Sequence, residues 1–251
     1  MLSIVMPAYN EHDIIAVTVE EWCADVVSKI PGAELIVVDD CSKDGTGDVL
    51  AECAKRIPQL RVVRPERNGG HGKALRLGFE HARGEFIFQT DSDRQHLPSE
   101  FWRLWEHRDC DFVFGIRSTR EDGLFRVIVT RTMRVLNLIT WQTWITDANC
   151  PFKLMRAHAL RAVLDEIPGD SFIPMVMVSI LARKMRFRFA EVPVTHLPRQ
   201  GGEQSLKGAV KWVKVGSRCF RQLFQLRMAV LSGRSLQERV LARSRHAVSG
   251  D

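Results

Sequence analysis

The chain has 251 residues, 45% of them hydrophobic and 26% charged, with a formal net charge of +6. This is the profile of a soluble globular protein long enough to bury a substantial core, and the absence of internal repeats or low-complexity tracts excludes repeat arrays and disordered chains. The charge is uneven: residues 1–60 lean acidic and most surplus Lys and Arg follows residue 116, which points to an anionic partner or to scattered solubilising cations.

Leu2–Met6 is a short apolar, β-branched run and reads as a buried strand; Pro7-Ala8-Tyr9-Asn10-Glu11 follows it. Apolar residues at Ile14, Ile15, Val17, Val19, Trp22, Val26 and Val27 predict a helix from Asp13 to Ile30, stopped by Pro31-Gly32. Leu35–Val38 is a second strand, running into Asp39-Asp40-Cys41-Ser42-Lys43-Asp44-Gly45-Thr46. Asp44 is the expected N-cap of a helix that ends at Ile57, before Pro58. Leu60–Val63 is a third strand and Gly72–Ala82 a third helix; Glu85–Gln89 is a fourth strand leading into Asp91-Ser92-Asp93. A helix from Pro98 to His107 precedes a fifth strand, Asp111–Gly115. Strands alternating with helices through short turns predict a mostly parallel sheet flanked by helices, an α/β fold. Beyond Gly115 helical patterns cover 124–145, 156–166, 171–184 and 206–230, with strand-like Phe187–Val194 between them, and 231–251 is a basic, polar tail.

Three acidic segments thus fall at the carboxyl ends of strands, where open α/β sheets bind ligands. Asp91 and Asp93 repel unless a cation bridges them, and a hard divalent ion such as Mg²⁺ prefers oxygen ligands, to which Gln95 can add one. Taken alone, D-x-D is more often a solvated turn. Asp39 and Asp40 can accept hydrogen bonds from a ribose or a base, or can simply shape the turn. Asn68-Gly69-Gly70-His71-Gly72-Lys73 fails as a Walker loop because Arg67 stands where Gly is required. It still offers backbone N–H groups and Lys73 at a helix start, with a plain tight turn as the alternative.

These segments together resemble the family-2 glycosyltransferases of GT-A fold over about the first 205 residues, and within them the dolichyl-phosphate mannosyltransferase and polyprenyl-phosphate branch. Gly115-Ile116-Arg117, the run from Asp147 to Lys153 and the run from Arg199 to Lys207 carry the likeness further. The resemblance implies one domain over 1–230, with a nucleotide-binding half at about 1–115 and an acceptor-side half at about 116–230. It implies that Pro7, Tyr9, Glu11, Asp39 and Asp40, with Lys73 and Ser92, serve a nucleotide-sugar donor. Asp91, Asp93 and Gln95 would hold Mg²⁺ or Mn²⁺, and Arg117 and Arg199 would lie near the phosphates, as suits arginine forks. One departure is Pro151-Phe152-Lys153, where the family has Gly before Phe; proline fixes φ and removes a donor, so the acceptor side is expected to differ in shape.

The implied reaction is inverting transfer of a hexose, mannose or glucose, to a lipid phosphate. Such an acceptor is already ionised and needs positioning more than a base. The rival is a hydroxyl acceptor with Asp147 as general base; on spacing alone, Asp147 equally reads as a helix terminator. A sugar-phosphate nucleotidyltransferase would need a glycine-rich loop after the first strand. No basic groove with spaced aromatics supports a nucleic-acid partner.

Lys207, Lys211, Lys214, Arg218 and Arg221 recur at intervals of four and three, and Arg126, Arg131 and Arg134 interleave with apolar residues. Both patterns fit peripheral membrane contact or ordinary amphipathic packing. The longest uncharged stretches, Val135–Thr146 and Ser171–Ala182, are twelve residues each, short of the ~20 that span a bilayer. Six cysteines without a C-x-x-C pair fit reduced thiols. The N-terminus enters a strand with no signal-like segment. A cytoplasmic location, peripheral on the inner face of the membrane, is the expectation.

Overall fold

The computed structural model describes residues 1–117, 141, 144–198 and 209–232. The chain divides into two compact units. The first comprises the described residues of Met1–Glu121, Cys150–Ala157 and Arg188–Glu203 and contains a seven-stranded sheet. Its strands are β1 (Leu2–Ala8), β2 (Glu34–Asp39), β3 (Leu60–Val63), β4 (Phe86–Gln89), β5 (Phe112–Arg117), β6 (Lys153–Arg156) and β7 (Phe189–Val194). They lie in the order β3-β2-β1-β4-β6-β5-β7. Every pairing is parallel except those of β6, which runs antiparallel to both β4 and β5. The helices of this unit are α1 (Ile15–Asp25), α2 (Thr46–Arg56), α3 (His71–His81) and α4 (Phe101–Trp105).

All residues of β1 and β2 are buried, which is why their sequences are continuous apolar runs and not alternating ones. On one face Trp22 of α1 packs on Phe88, and Phe88 meets Phe101 and Phe152 edge-on with ring centroids 5.0 and 4.7 Å apart. Such edge-to-face contacts add to simple burial. On the other face α3 lies so close that a Cβ at Gly78 would come 2.4 Å from Val5 Cγ1. That position favours glycine because a methyl group would have to displace the Val5 side chain.

Strands one to five and their helices fall within about two residues of the expected positions, and the differences are local. The expected helix from Asp13 to Ile30 is α1 followed by a single 3₁₀ turn at Val27–Lys29. That from Pro98 to His107 is a 3₁₀ turn leading into the short α4. Gly45, in a left-handed conformation with φ +90°, takes the N-cap position expected for Asp44. Asp44 still accepts the Thr46 N–H at 3.0 Å, doing the capping from one residue further back. The strand β6 was not expected, because its four residues carry a charge at either end. Lys153 is nonetheless fully buried, its ammonium donating to the Cys150 carbonyl and lying 4.7 Å from the centre of the Phe114 ring.

At the amino ends of the strands, opposite the acidic turns, Glu34 ties β1, β2 and β3 together. Its Oε1 accepts from Ser3 Oγ at 2.7 Å and from the Arg83 N–H at 3.0 Å, and its Oε2 pairs with Arg61 at 2.6 Å. Burial pushes the Glu34 pKa up, but the Ser3, Arg61 and Arg83 hydrogen bonds outweigh it and hold the group below its ordinary 4.5. A carboxylate with a depressed pKa contributes stability above its ordinary value and loses it as pH falls through the lower native one.

The second unit comprises the described residues of Asp122–Asn149, His158–Phe187 and Gln204–Asp251. It holds most of α5 (Ala157–Leu164) together with α6 (Pro174–Lys184) and α7 (Ala209–Ser232). Pro174 opens α6, where a missing N–H is harmless. The helix is buried from Met175 to Ala182, as expected of one that is apolar all round. The Phe172 N–H donates to Gln222 Oε1 at 3.0 Å and Ser179 Oγ to the Ala148 carbonyl at 3.3 Å. No helix among the described residues is long and apolar enough to cross a membrane. The basic cluster Arg126, Arg131 and Arg134 and the tail 233–251 lie outside the described residues.

Glu34→Gln is expected to lower stability by about 2 kcal/mol at neutral pH, the typical loss of a hydrogen-bonded charge. The difference from wild type should shrink as pH drops below about 4.5. Urea unfolding at several pH values measures this; a difference independent of pH would contradict it.

Candidate active site

β1 lies between β2 and β4 and is parallel to both, so the chain reverses its direction of winding there. The crevice beyond the carboxyl ends of such strands is the usual ligand site of an open α/β sheet. Tyr9–Glu11 leave β1, Asp40–Thr46 leave β2 and Asp91–Asp93 follow β4, all at this end. β5 also runs parallel to β4 through the intervening antiparallel β6, which brings Arg117, its last residue, to the same end. Each acidic turn contains a non-glycine residue in the left-handed region: Asn10 at φ +55°, Cys41 at +61° and Arg94 at +58°. Such conformations gather where a fold over-determines them, functional sites above all.

The first two turns are sewn to each other. The Asn10 N–H donates to Ser42 Oγ at 3.0 Å, Glu11 N–H to Thr46 Oγ1 at 2.9 Å and His12 N–H to Asp44 Oδ2 at 3.0 Å; in return Asn10 Oδ1 accepts the Lys43 N–H at 2.9 Å. Asp44 is held below its usual pKa, burial being outweighed by its bonds from Thr46 and His12.

Asp39 and Asp40, expected to face a donor, are engaged inside the fold. Asp39 is fully buried; its Oδ1 accepts the Ser42 N–H at 2.9 Å and its Oδ2 pairs with Arg64 Nη1 at 2.7 Å. The pair needs Gly47, where a Cβ would stand 2.5 Å from Arg64 Nη1 and 2.8 Å from Asp39 Oδ2. Arg64 remains 51% exposed, so a cation stands over the mouth of the β2 turn. Nothing in the sequence singled it out beyond its place one residue past β3. Asp40 accepts the N–H groups of Gly69 and Gly70 at 2.8 and 2.7 Å, and its carbonyl accepts from Asn68 Nδ2 at 2.7 Å. The glycine loop therefore directs these two N–H groups at an aspartate and not outward, while Lys73 is exposed in the first turn of α3.

The third turn is different. Asp91 Oδ1 is buried with no hydrogen-bond partner among the described residues. Ser92 is buried, and Asp93 Oδ1 accepts the Gln95 N–H at 3.2 Å. Arg94 is tied to Glu21 of α1. Gln95 exchanges two bonds with Leu197, donating from Nε2 to its carbonyl at 3.1 Å and accepting its N–H at 2.8 Å. His96 Nδ1 lies 3.0 Å from the Thr195 carbonyl, and Glu100 accepts both the N–H and the hydroxyl of Thr195 at 2.8 and 3.0 Å. The segment after β7 is thus laid along the acidic turn, a connection that sequence spacing does not reveal.

Pro7 is a buried residue of β1, Tyr9 is exposed and Glu11 is buried. Asp147 is buried within the second unit. Arg199 lies outside the described residues. No group of three or more His, Cys, Asp or Glu side chains disposed to hold a metal occurs among the described residues. A cation at Asp91 and Asp93 would draw its remaining ligands from elsewhere. The residues fit one all the same, because a buried, unbonded carboxylate oxygen calls for a counter-charge.

Residues 3–164 match the family model described as Glycosyl transferase family 2. The undecaprenyl-phosphate 4-deoxy-4-formamido-L-arabinose transferase of Edwardsiella ictaluri is 34% identical over 218 residues, covering 85% of this chain. The chain spans 65% of that relative's length. A mannosyltransferase from Pyrobaculum calidifontis, solved in complex with GDP-Man and Mn²⁺, superposes with a TM-score of 0.63 at 18% identity, covering 100% of this chain and 76% of its own. Glucosyl-3-phosphoglycerate synthase from Mycobacterium tuberculosis, in complex with Mn²⁺, UDP-glucose and phosphoglyceric acid, gives 0.63 at 18% identity, covering 89% and 79%. The chain belongs to glycosyl transferase family 2, and its fold is GT-A. Both expectations drawn from the sequence are met.

Asp40→Ala removes the acceptor of two loop N–H groups and is expected to destabilise the protein by about 2–3 kcal/mol. Chemical denaturation checks this; a loss within the roughly 0.5 kcal/mol of an ordinary surface change would show that the clamp does not matter.

Proposed function

We propose that this chain is an inverting glycosyltransferase that moves a sugar from a nucleoside diphosphate to the phosphate of a membrane polyprenyl phosphate. The observation that carries the reading is the buried, unpartnered Asp91 Oδ1 at the switch point of a family-2 fold. The acceptor class is taken from the relative at 34% identity, whose name specifies undecaprenyl phosphate. Its name also specifies a modified arabinose, so a hexose is one of two sugar classes to be tried.

On this reading the laced turns after β1 and β2 frame the nucleoside, with Pro7, Tyr9 and Glu11 on one side. Asp39 and Asp40 fix the shape of the other. Arg64 and Lys73 supply exposed positive charge, and Arg117, joined by Arg199, would meet the phosphates. Asp91, Asp93 and the side-chain oxygen of Gln95 would hold Mg²⁺ or Mn²⁺. When bound, such an ion neutralises the charge that builds on a departing diphosphate. A lipid phosphate is ionised near neutral pH, so the protein's task is to align it behind the anomeric carbon and exclude water.

The second reading, a hydroxyl acceptor, makes buried Asp147 a general base. Transfer assays with undecaprenyl phosphate and a panel of UDP- and GDP-hexoses plus nucleotide-linked 4-deoxy-4-formamido-L-arabinose decide between them. Asp147→Asn should keep turnover within about threefold of wild type; a drop of about 10²-fold or more is the signature of a lost general base. Absence of transfer to undecaprenyl phosphate from every donor would remove the proposal.

A further inference from the structure

The C-terminal helix α7 is amphipathic twice over. Cys219, Leu223 and Leu226 are buried, the ordinary apolar stripe of a packed helix. On another face Phe220, Phe224 and Met228 stand at successive intervals of four and are 50%, 52% and 49% exposed. The two phenyl rings stack on each other with centroids 6.4 Å apart and planes 19° from parallel. Phe172, also exposed, lies beneath the Arg218 guanidinium at 5.0 Å. Three large apolar side chains thus form a ridge along about 12 Å of helix.

Arginines border this ridge. At 100° per residue, Arg218 and Arg221 fall on one flank and half-buried Arg227 on the other, with Arg218 and Arg221 exposed. No acidic residue occurs between Ala209 and Ser232. In the sequence, Lys214 and Lys211 continue the spacing of Arg218 and Arg221.

We infer that the Phe220–Phe224–Met228 ridge, with its flanking arginines, is an interfacial surface that lies in the headgroup layer of an anionic bilayer. An apolar strip between cationic margins matches that layer, the rings entering the acyl boundary and the guanidinium groups meeting lipid phosphates. A second copy of the chain fits less well, because a two-fold pairing of a self-complementary patch would bring arginine margins together. The surface deepens the lipid-phosphate reading and rests on it for its role, since an enzyme held flat on the membrane meets its acceptor by diffusion in two dimensions.

Co-sedimentation with vesicles of equimolar phosphatidylglycerol and phosphatidylcholine, containing no polyprenyl phosphate, tests the surface apart from the reaction. Wild type should pellet with these vesicles and far less with phosphatidylcholine alone. Phe220→Ser with Phe224→Ser should weaken binding about tenfold, and Arg218→Gln with Arg221→Gln by a similar factor while reducing its salt sensitivity. The arginine pair is solvent-exposed and decides the matter should the serine pair lower the melting temperature. Wild-type protein that ignores anionic vesicles, or an arginine pair that binds as wild type, overturns the inference. So does a dimer in light scattering that the serine pair dissociates without any vesicle binding. Transfer to undecaprenyl phosphate in detergent reads the reaction alone. Transfer without vesicle binding overturns the surface only; vesicle binding without transfer supports the surface and overturns the acceptor.

Discussion

A carboxylate removed from water must be given hydrogen bonds or a counter-charge, because leaving one of its oxygens buried and unbonded is among the costliest arrangements a fold can contain. This constraint sorts the acidic residues at the head of the sheet. Buried Asp39 answers it with Ser42 and Arg64, and buried Asp40 with Gly69 and Gly70. Asp44 is exposed and bonds to His12 and Thr46 without being forced to by burial. Asp91 does not answer it from within the described residues. Asp39, Asp40 and Asp44 build the platform, and on the function proposed above Asp91 would face the ion held there.

The platform is stiff for a definite reason. Side-chain and backbone bonds join the turns after β1 and β2, and β1 is itself hydrogen-bonded to both neighbours along its length. The left-handed Asn10, Cys41 and Arg94 are tolerated because the surrounding bonds fix them. From the other side, Thr195 and Leu197 hold the Asp91–His96 turn against the segment that follows β7. Residues a hundred positions apart in sequence thereby share one edge of the crevice. Preorganisation of this kind lowers the ordering cost of binding a flexible ligand.

Much of this was legible in the sequence because the fold's regular parts obey local rules. Continuous apolar runs marked β1, β2 and β4 as strands buried on both faces, and the acidic segments that follow them all fall at the end where open α/β sheets bind ligands. What stayed hidden depends on tertiary pairing. β6 carries Lys153, a residue no strand pattern favours, and it is accommodated only by the Cys150 carbonyl and the face of Phe114. The clamp between Asp40 and the glycine loop joins residues about thirty apart, so each half alone reads as a ligand site. Arg64 is one exposed arginine among many until Asp39 is seen beneath it. The apolar residues of α7 have the spacing of a core stripe, and only the coordinates divide Leu223 and Leu226 from Phe220 and Phe224.

Metal-dependent binding at this end of the sheet therefore turns on Asp91 and what satisfies it. Isothermal titration of UDP and GDP into the full chain, with Mn²⁺ and again with a chelator, tests this most directly. Wild type should bind at least one of the two nucleotides far more tightly with the metal, and Asp91→Asn should abolish that difference while leaving the protein folded. Equal affinity with and without Mn²⁺, or a metal effect that survives Asp91→Asn, would contradict it.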